Sequence, residues 1–323
     1  MRSLAAPCRP VLDVLIPHYA DPAGLARTLG SVATQSWCEM PWHVLRVIVV
    51  DDGSPPQDLR AVEQIAAQFE QQSGQTVLLD RLAVNQGRPR ARNRLLDLAD
   101  APYLAWLDAG DIWYPDKLAA QFAHLAAREA AGDDLSRLWV TCAYDWDQNG
   151  CRVARTQTVT GTPLRALLIG DPLRAYLWTL LGRAEAFAIA GRFDPNLPRL
   201  QDLDYFLTFV RAGGQITVPA APDPLCCYFK SDLGRSAVQV AESYAHIMAK
   251  HAPVIRQYPR SLRSSLALKG PLLAARFARA NGQRGLAAKY LFAAVRASPL
   301  RMARTGLRHL RARLSAYVRG QHG

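Results

Sequence analysis

The chain has 323 residues, half of them hydrophobic, with 39 Lys plus Arg against 27 Asp plus Glu and a net charge of +12. That length allows a large core and more than one unit, while no apolar run reaches membrane-spanning length and MRSLAAPCRP lacks the apolar core of a secretory signal. The six cysteines, Cys8, Cys38, Cys142, Cys151, Cys226 and Cys227, match no zinc or redox spacing, which implies reduced thiols in a cytoplasmic protein.

Residues 11–16, VLDVLI, read as a strand ended by Pro17, and Pro22 to Ser36 as a helix with Leu25, Leu29 and Val32 on one stripe. HVLRVIVV, 43–50, has the continuous β-branched character of a strand buried on both faces and stops at the turn DDGSPP. Gln57 to Gln72 reads as a helix, Thr76–Leu82 as a strand, and Pro89 suits the start of a helix reaching Leu98. Tyr103–Leu107 is the next strand, followed by a helix over 115–130. This alternation implies a doubly wound, mostly parallel sheet flanked by helices.

Further along, 138–146 and 152–159 read as a hairpin around Gln148-Asn149-Gly150. Helices are expected at 184–190 and 201–212, and extended segments at 215–219 and 225–229. After Ala237 the chain reads as helices, with Leu286, Tyr290, Leu291, Ala294 and Val295 on one stripe. No acid follows Glu242, and sixteen of the basic residues lie from Lys250 onward, so the C-terminal region carries the whole positive surplus.

Ligands of doubly wound sheets bind outside the carboxyl ends of the strands. Those ends carry Pro17-His18-Tyr19, then Asp51, Asp52, Gly53 and Ser54, then Asn85, Gly87, Arg88, Arg90, Arg92 and Asn93, then Asp108 and Asp111. Carboxylates need cationic company, and this edge gathers both signs. Taken singly, DDGS is an ordinary tight turn, and Arg90 and Arg94 read as solvent-exposed.

The succession IPHY, VIVVDDGS, NQGRPRARN, LAWLDAGDIWYPDKL, GRFDPNL and QDLDYFLTFVRAGG resembles the family 2 glycosyltransferases over roughly residues 11–235. The resemblance implies a GT-A-like α/β fold and inverting sugar transfer from a nucleotide sugar to a hydroxyl of a glycan, lipid-linked or surface-polysaccharide acceptor. It implies a catalytic domain at 1–236, with a nucleotide-sugar half to about 130 and an acceptor half after it, and a basic helical region at 237–323. UDP is the implied nucleotide, with dTDP and GDP as alternatives.

By the same resemblance, Pro17, Tyr19, Asp51, Asp52, Arg88, Arg92 and Asp108 bind the donor. Asp108 and Asp111 hold Mg²⁺ or Mn²⁺, which suits carboxylate and phosphate oxygens. Asp202 is the general base, with Asp204 as the second candidate. Three positions depart from the family pattern. Gly110 stands at the third place of the usual Asp-x-Asp, moving the carboxylate to Asp111. Gln201 replaces a Glu, and Ser231 a His, leaving Lys230 or Arg235 as alternative cations for the diphosphate. Asp111 has a second reading, as a cap on the following helix.

The basic tail fits either an anionic membrane surface, placing the enzyme peripherally at the inner face, or a helical cap on the catalytic unit. Two rival functions remain at this stage. A nucleotidyltransferase would need a Gly-rich, Lys-containing loop after the first strand, where PHYADPAG stands. A nucleic-acid-binding protein using the tail would leave the strand-end motifs without a role.

Overall fold

The first strand, β1 (Leu12–His18), is buried along its whole length in a computed structural model that describes residues 11–39, 44–221, 223–229 and 234–303. It runs through Pro17, where the sequence suggested an end. β1 pairs in parallel with β2 (Leu45–Asp51) as far as His18↔Asp51, but its pairing on the other side stops at Leu15. Two residues beyond Leu15, Pro17 turns its missing N–H toward the side where that ladder has already finished.

Between these strands lies α1 (Pro22–Ala33), capped by Asp21, whose Oδ1 accepts the Gly24 N–H at 2.8 Å. After β2 come α2 (Pro56–Ser73), β3 (Thr76–Arg81), α3 (Arg88–Leu98) and β4 (Tyr103–Trp106), matching the expected alternation. The chain continues as β5 (Ile112–Trp113), α4 (Lys117–Ala130), β6 (Leu138–Val140), β7 (Tyr144–Gln148), β8 (Cys151–Arg155) and α5 (Pro163–Ile169). β9 (Leu181–Arg183), α6 (Ala184–Ala190), α7 (Gln201–Arg211), β10 (Gln215–Thr217) and β11 (Cys226–Phe229) complete this unit.

Seven strands form the main sheet in the order β10-β6-β9-β4-β1-β2-β3, with β9 antiparallel to both neighbours and the other pairings parallel. The order steps outward from β1 to β3 and then returns to β4 on the opposite side, so the switch point lies between β1 and β4. The acid inside VLDVLI is accommodated at the far end of β1. Buried Asp13 accepts a forked pair of bonds from Arg46 at 2.9 and 2.8 Å, and the N–H groups of Asp100 and Ala101.

The expected hairpin is real but shorter. β7 and β8 pair across Asn149 and Gly150, both with positive φ, as a two-residue turn demands. The stretch 138–146 divides between two sheets. β6 stays in the main sheet, and β7 joins a smaller one ordered β5-β11-β7-β8.

Among the described residues, 11–196 and 201–229 form one compact unit, and 197–200 with 234–303 form a second. The second is helical: α8 (Ala237–Lys250), α9 (Ala252–Ile255), α10 (Arg260–Ala280) and α11 (Arg284–Ala297). Its core holds Val240, Ala274, Phe277, Ala278 and Ala287. α10 passes Tyr244 so closely that a Cβ on Gly270 would lie 2.4 Å from the ring. The stripe expected on α11 is only half buried: Leu286 and Tyr290 pack inward, whereas Leu291, Phe292 and Val295 face solvent. Small Ala287 and Ala294 make the close approach instead.

Candidate active site

Adjacent strand residues point to opposite faces of a sheet, and this separates the two acids of DDGS. Asp51 is fully buried at the end of β2. It accepts from His18 Nδ1 at 2.8 Å, from the Ser54 N–H at 2.8 Å and from the Ser54 hydroxyl at 2.5 Å. His18 Nε2 accepts the Asp21 N–H at 3.3 Å, which places the ring proton on Nδ1. Burial alone would raise the Asp51 pKa, but the Ser54 and His18 bonds outweigh it and hold the carboxyl below its usual value. Asp51 therefore braces the loop, with His18 and Ser54 as its partners.

Asp52 reaches the other way. Its two oxygens accept the N–H groups of Gln86 and Gly87 at 2.8 and 2.9 Å, joining the β2 loop to the one before α3. Burial, reinforced by the Asp51 charge, raises its pKa despite those two bonds. Gly53 sits between with φ +74°, and a Cβ there would lie 2.4 Å from the Val84 carbonyl carbon. Only glycine allows the two loops to close to this distance.

At the end of β4 the chain turns tightly, with the Asp111 N–H donating to the Asp108 carbonyl at 3.1 Å. Gly110 occupies the third place of that turn with φ +101°, a conformation that favours glycine there. This explains why the carboxylate falls one position late. Thr28 clamps the turn, accepting the Gly110 N–H at 2.9 Å and donating to the Asp111 carbonyl at 2.7 Å. The Asp111 side chain takes the Phe229 N–H at 3.2 Å, tying the turn to β11. The helix cap reading fails, since Asp116 and not Asp111 stands at the N-cap position of α4.

Arg92 joins these parts. Its side chain is completely buried, with Nη2 at 2.9 and 3.1 Å from the two oxygens of Asp108 and Nη1 at 2.5 Å from Asp202 Oδ1. Burial disfavours the guanidinium charge, but the two carboxylates more than compensate and push its pKa further up. Asp108 and Asp202 each keep about a fifth of their side chains exposed, so both can meet a ligand from the open side.

Other expected residues are placed differently. Pro17 is buried within β1, while Tyr19 just beyond it is exposed. Arg88 opens α3 with its side chain in solvent. Arg94 pairs with Asp80 at 2.7 Å. Asp204 is buried on α7, which leaves Asp202 as the more accessible of the two base candidates. Lys230, Ser231 and Asp232 lie outside the described residues. Arg235 belongs to the second unit, where its guanidinium lies 5.5 Å from the Phe277 ring.

Sequence reasoning assigned no part to Thr28, to the His18 bridge or to Asn93. The Asn93 side chain exchanges two hydrogen bonds with the Phe193 backbone, at 2.9 and 2.8 Å, and so pins GRFDPNL beside α3. Only the nearness of Asn93 to the arginine run hinted at this.

Among the described residues no three His, Cys, Asp or Glu side chains converge as a closed metal cage. Asp108 and Asp111 nevertheless share one turn and offer hard oxygen donors. Two carboxylates with the remaining positions filled by phosphate and water is the ordinary habit of Mg²⁺. Arg92 between Asp108 and Asp202 leaves that trio with a formal charge of −1, which also favours a cation. The donor set fits a divalent ion that arrives with a diphosphate.

Residues 13–163 match the family model described as Glycosyl transferase family 2. The chain is 26% identical over 220 residues to the amylovoran biosynthesis glycosyltransferase AmsB of Erwinia amylovora, covering 65% of this chain and 67% of that protein. It is 32% identical over 122 residues to the succinoglycan biosynthesis protein ExoW of Rhizobium meliloti, covering 37% of this chain and 35% of ExoW, so it spans about a third of that relative. Among solved structures, a mannosyltransferase of Pyrobaculum calidifontis in complex with GDP-Man and Mn²⁺ superposes with a TM-score of 0.59 at 20% identity, over 96% of this chain and 81% of that one. S. aureus TarS 1–349 in complex with UDP-GlcNAc gives 0.56 at 17% identity, over 90% and 82%. At these identities the structural likeness is one of fold, and the fold class is GT-A-like.

Proposed function

We propose that this chain, which belongs to glycosyltransferase family 2, moves a sugar from a nucleotide-sugar donor to a hydroxyl of a glycan, lipid-linked or surface-polysaccharide acceptor, with inversion at the anomeric carbon. The observation that carries the reading is the Arg92 bridge. One buried cation fixes a carboxylate at the end of β4, beside the switch point, against a carboxylate at the start of α7.

The roles divide accordingly. Tyr19 and Arg88 offer an exposed ring and an exposed cation for the nucleotide, and Asp52 holds the loop that would line it. Asp108 faces the ribose or the leaving diphosphate. Asp108 and Asp111 would hold Mg²⁺ or Mn²⁺, which when bound supplies Lewis-acid polarisation of the leaving group. Asp202 takes the proton of the acceptor hydroxyl as its oxygen bonds to the anomeric carbon and the diphosphate leaves from the opposite face. Such base catalysis contributes roughly 10²–10⁴-fold. Arg92 keeps Asp202 oriented throughout. UDP is the nucleotide we assign, with GDP and dTDP as the alternatives the screen below separates.

The test is a donor screen with UDP, GDP and dTDP sugars, scored by nucleotide release and by the melting shift of the matching nucleotide with and without Mn²⁺. One nucleotide raising the melting temperature and being released from its sugar supports the reading. Failure of all three sinks it.

No helix among the described residues is long and apolar enough to cross a membrane. α11 nonetheless exposes Phe292 at 64% and Leu291 and Val295 at over 40%, with Arg284, Lys289 and Arg296 on the same helix. We assign this basic, apolar surface to an anionic membrane, where each cation contributes about 1 kcal/mol. Flotation with phosphatidylglycerol vesicles but not with phosphatidylcholine vesicles is the expected result; equal flotation contradicts it.

A further inference from the structure

The roles above leave one cluster unused. Tyr144 and Trp146 on β7, Tyr176 and Trp178 before β9, and Tyr228 on β11 form a continuous aromatic surface. Tyr176 stacks on Trp178 at 5.1 Å, Trp178 on Tyr228 at 5.6 Å and Tyr176 on Tyr228 at 6.1 Å, with Tyr144 at 6.1 Å from Trp146. Tyr144 and Trp178 are buried and make its base; Trp146, Tyr176 and Tyr228 keep part of their surface exposed. One end of the cluster meets the active site, where Phe229, next to Tyr228, donates its N–H to Asp111.

Two cations sit on this surface. The guanidinium carbons of Arg155 and Arg174 lie 4.7 and 4.9 Å from the centre of the same Trp146 ring. They are thus within about 10 Å of each other, the screening length at 0.1 M salt. Neither forms an ion pair with a carboxylate among the described residues. The nearby acids are engaged otherwise: Asp147 accepts from Arg152 and from the Gly150 N–H, and Asp145 accepts the Tyr114 hydroxyl. Arg174 is also held in place, since buried Gln157 accepts its backbone N–H at 2.7 Å. Its guanidinium hydrogen-bonds the Tyr176 hydroxyl. The two like charges over one indole repel, and an anion bound beside them would offset that cost.

We propose that Trp146 and Tyr176, with Arg155 and Arg174, form the acceptor subsite, and that it takes a sugar ring carrying an anionic group, either a uronate carboxylate or a phosphate ester. The inference rests on the glycosyl-transfer reading, because that reading puts the acceptor hydroxyl beside Asp202. The exposed rims of Trp146 and Tyr176 offer a pyranose apolar contact beside the two cations, leaving its hydroxyls free. Guanidinium groups suit carboxylate and phosphate through forked hydrogen bonds.

The test is isothermal titration of the full chain, saturated with its preferred nucleotide, against two matched pairs: methyl β-glucuronide with methyl β-glucoside, and glucose 6-phosphate with glucose. The expected result is a preference of about tenfold or more for the acidic member of at least one pair, the pair identifying which anion is read. That preference should vanish in Arg174→Gln and fall in Arg155→Gln, while both variants keep the nucleotide melting shift. Equal binding within both pairs overturns the proposal, as does a preference that survives the double substitution. Loss of the nucleotide shift in Arg174→Gln also overturns it, by giving that arginine to the donor. A wild-type chain with no nucleotide shift overturns the transfer reading itself, and that failure is visible before any variant is made.

Discussion

Arg92 and Asp202 stand 110 positions apart in the chain, and Nη1 of one lies 2.5 Å from Oδ1 of the other. The same guanidinium holds Asp108 on its second arm. Because the arginine is wholly buried, removing it would leave two carboxylates facing each other without their shared cation.

Arg92→Met is therefore expected to lower stability by about 3–5 kcal/mol, the usual cost of breaking a buried pair, and to abolish transfer. Arg92→Lys should restore little, because an ammonium cannot reproduce a planar fork spanning two partners. Chemical denaturation and steady-state turnover check both statements. A lysine variant with wild-type turnover would show that the fork is dispensable.

The loops around Gly53 set a second expectation. With φ +74° and backbone atoms of Val84 and Asn85 at 2.4 and 2.5 Å from the position of a Cβ, Gly53→Ala must push the two loops apart. A loss of about 1–3 kcal/mol is expected from overpacking, together with weaker nucleotide binding, since Asp52 could no longer reach the Gln86 and Gly87 N–H groups. Titration with nucleotide and a melting curve measure the two effects.

Lys117 gives a pH signature. It is fully buried, with Nζ 3.9 Å from the centre of the Trp113 ring and 2.7 Å from Gln121 Oε1. Burial lowers its pKa to about 8, with Cys142 and Cys226 opposing that shift. The unfolded chain then holds more protons on this group than the folded one between pH 8 and its ordinary value near 10.4, so its contribution to stability rises with pH across that window. Lys117→Met should remove the rise. The stability difference between wild type and variant, measured by denaturation at pH 8 and pH 10, should change by on the order of 1–3 kcal/mol in favour of the wild type at the higher pH. A constant difference would show that Lys117 titrates normally.

The metal assignment is open to a direct check. Asp111→Ala should shrink the additional melting shift that Mn²⁺ gives in the presence of nucleotide, and leave the shift from nucleotide alone largely in place. An unchanged Mn²⁺ response would remove Asp111 from the metal site.

Much of the fold was legible because buried parallel strands are written as β-branched runs closed by turn residues. VIVVDDGS and LAWLDAGD announce both the strand and its acidic end. What the sequence concealed were consequences of neighbours. Pro17 reads as a stop, but it is tolerated because pairing toward β4 ends at Leu15. The stripe on α11 is visible as a period, yet which part is buried depends on how closely Ala287 and Ala294 let α10 approach. In the site, Asp51 and Asp52 look equivalent as letters. Strand alternation sends them to opposite faces, where one meets His18 and the other the loop before α3. Arg92 stood out in NQGRPRARN, but its link to Asp202 is a tertiary contact that no local pattern encodes.

The most direct measurement is nucleotide release from the preferred donor by wild type and Asp202→Asn, with the nucleotide melting shift recorded on the same samples. Turnover lower by roughly 10²–10⁴-fold with an undiminished melting shift is the expected result for the base. Turnover retained in Asp202→Asn would contradict it.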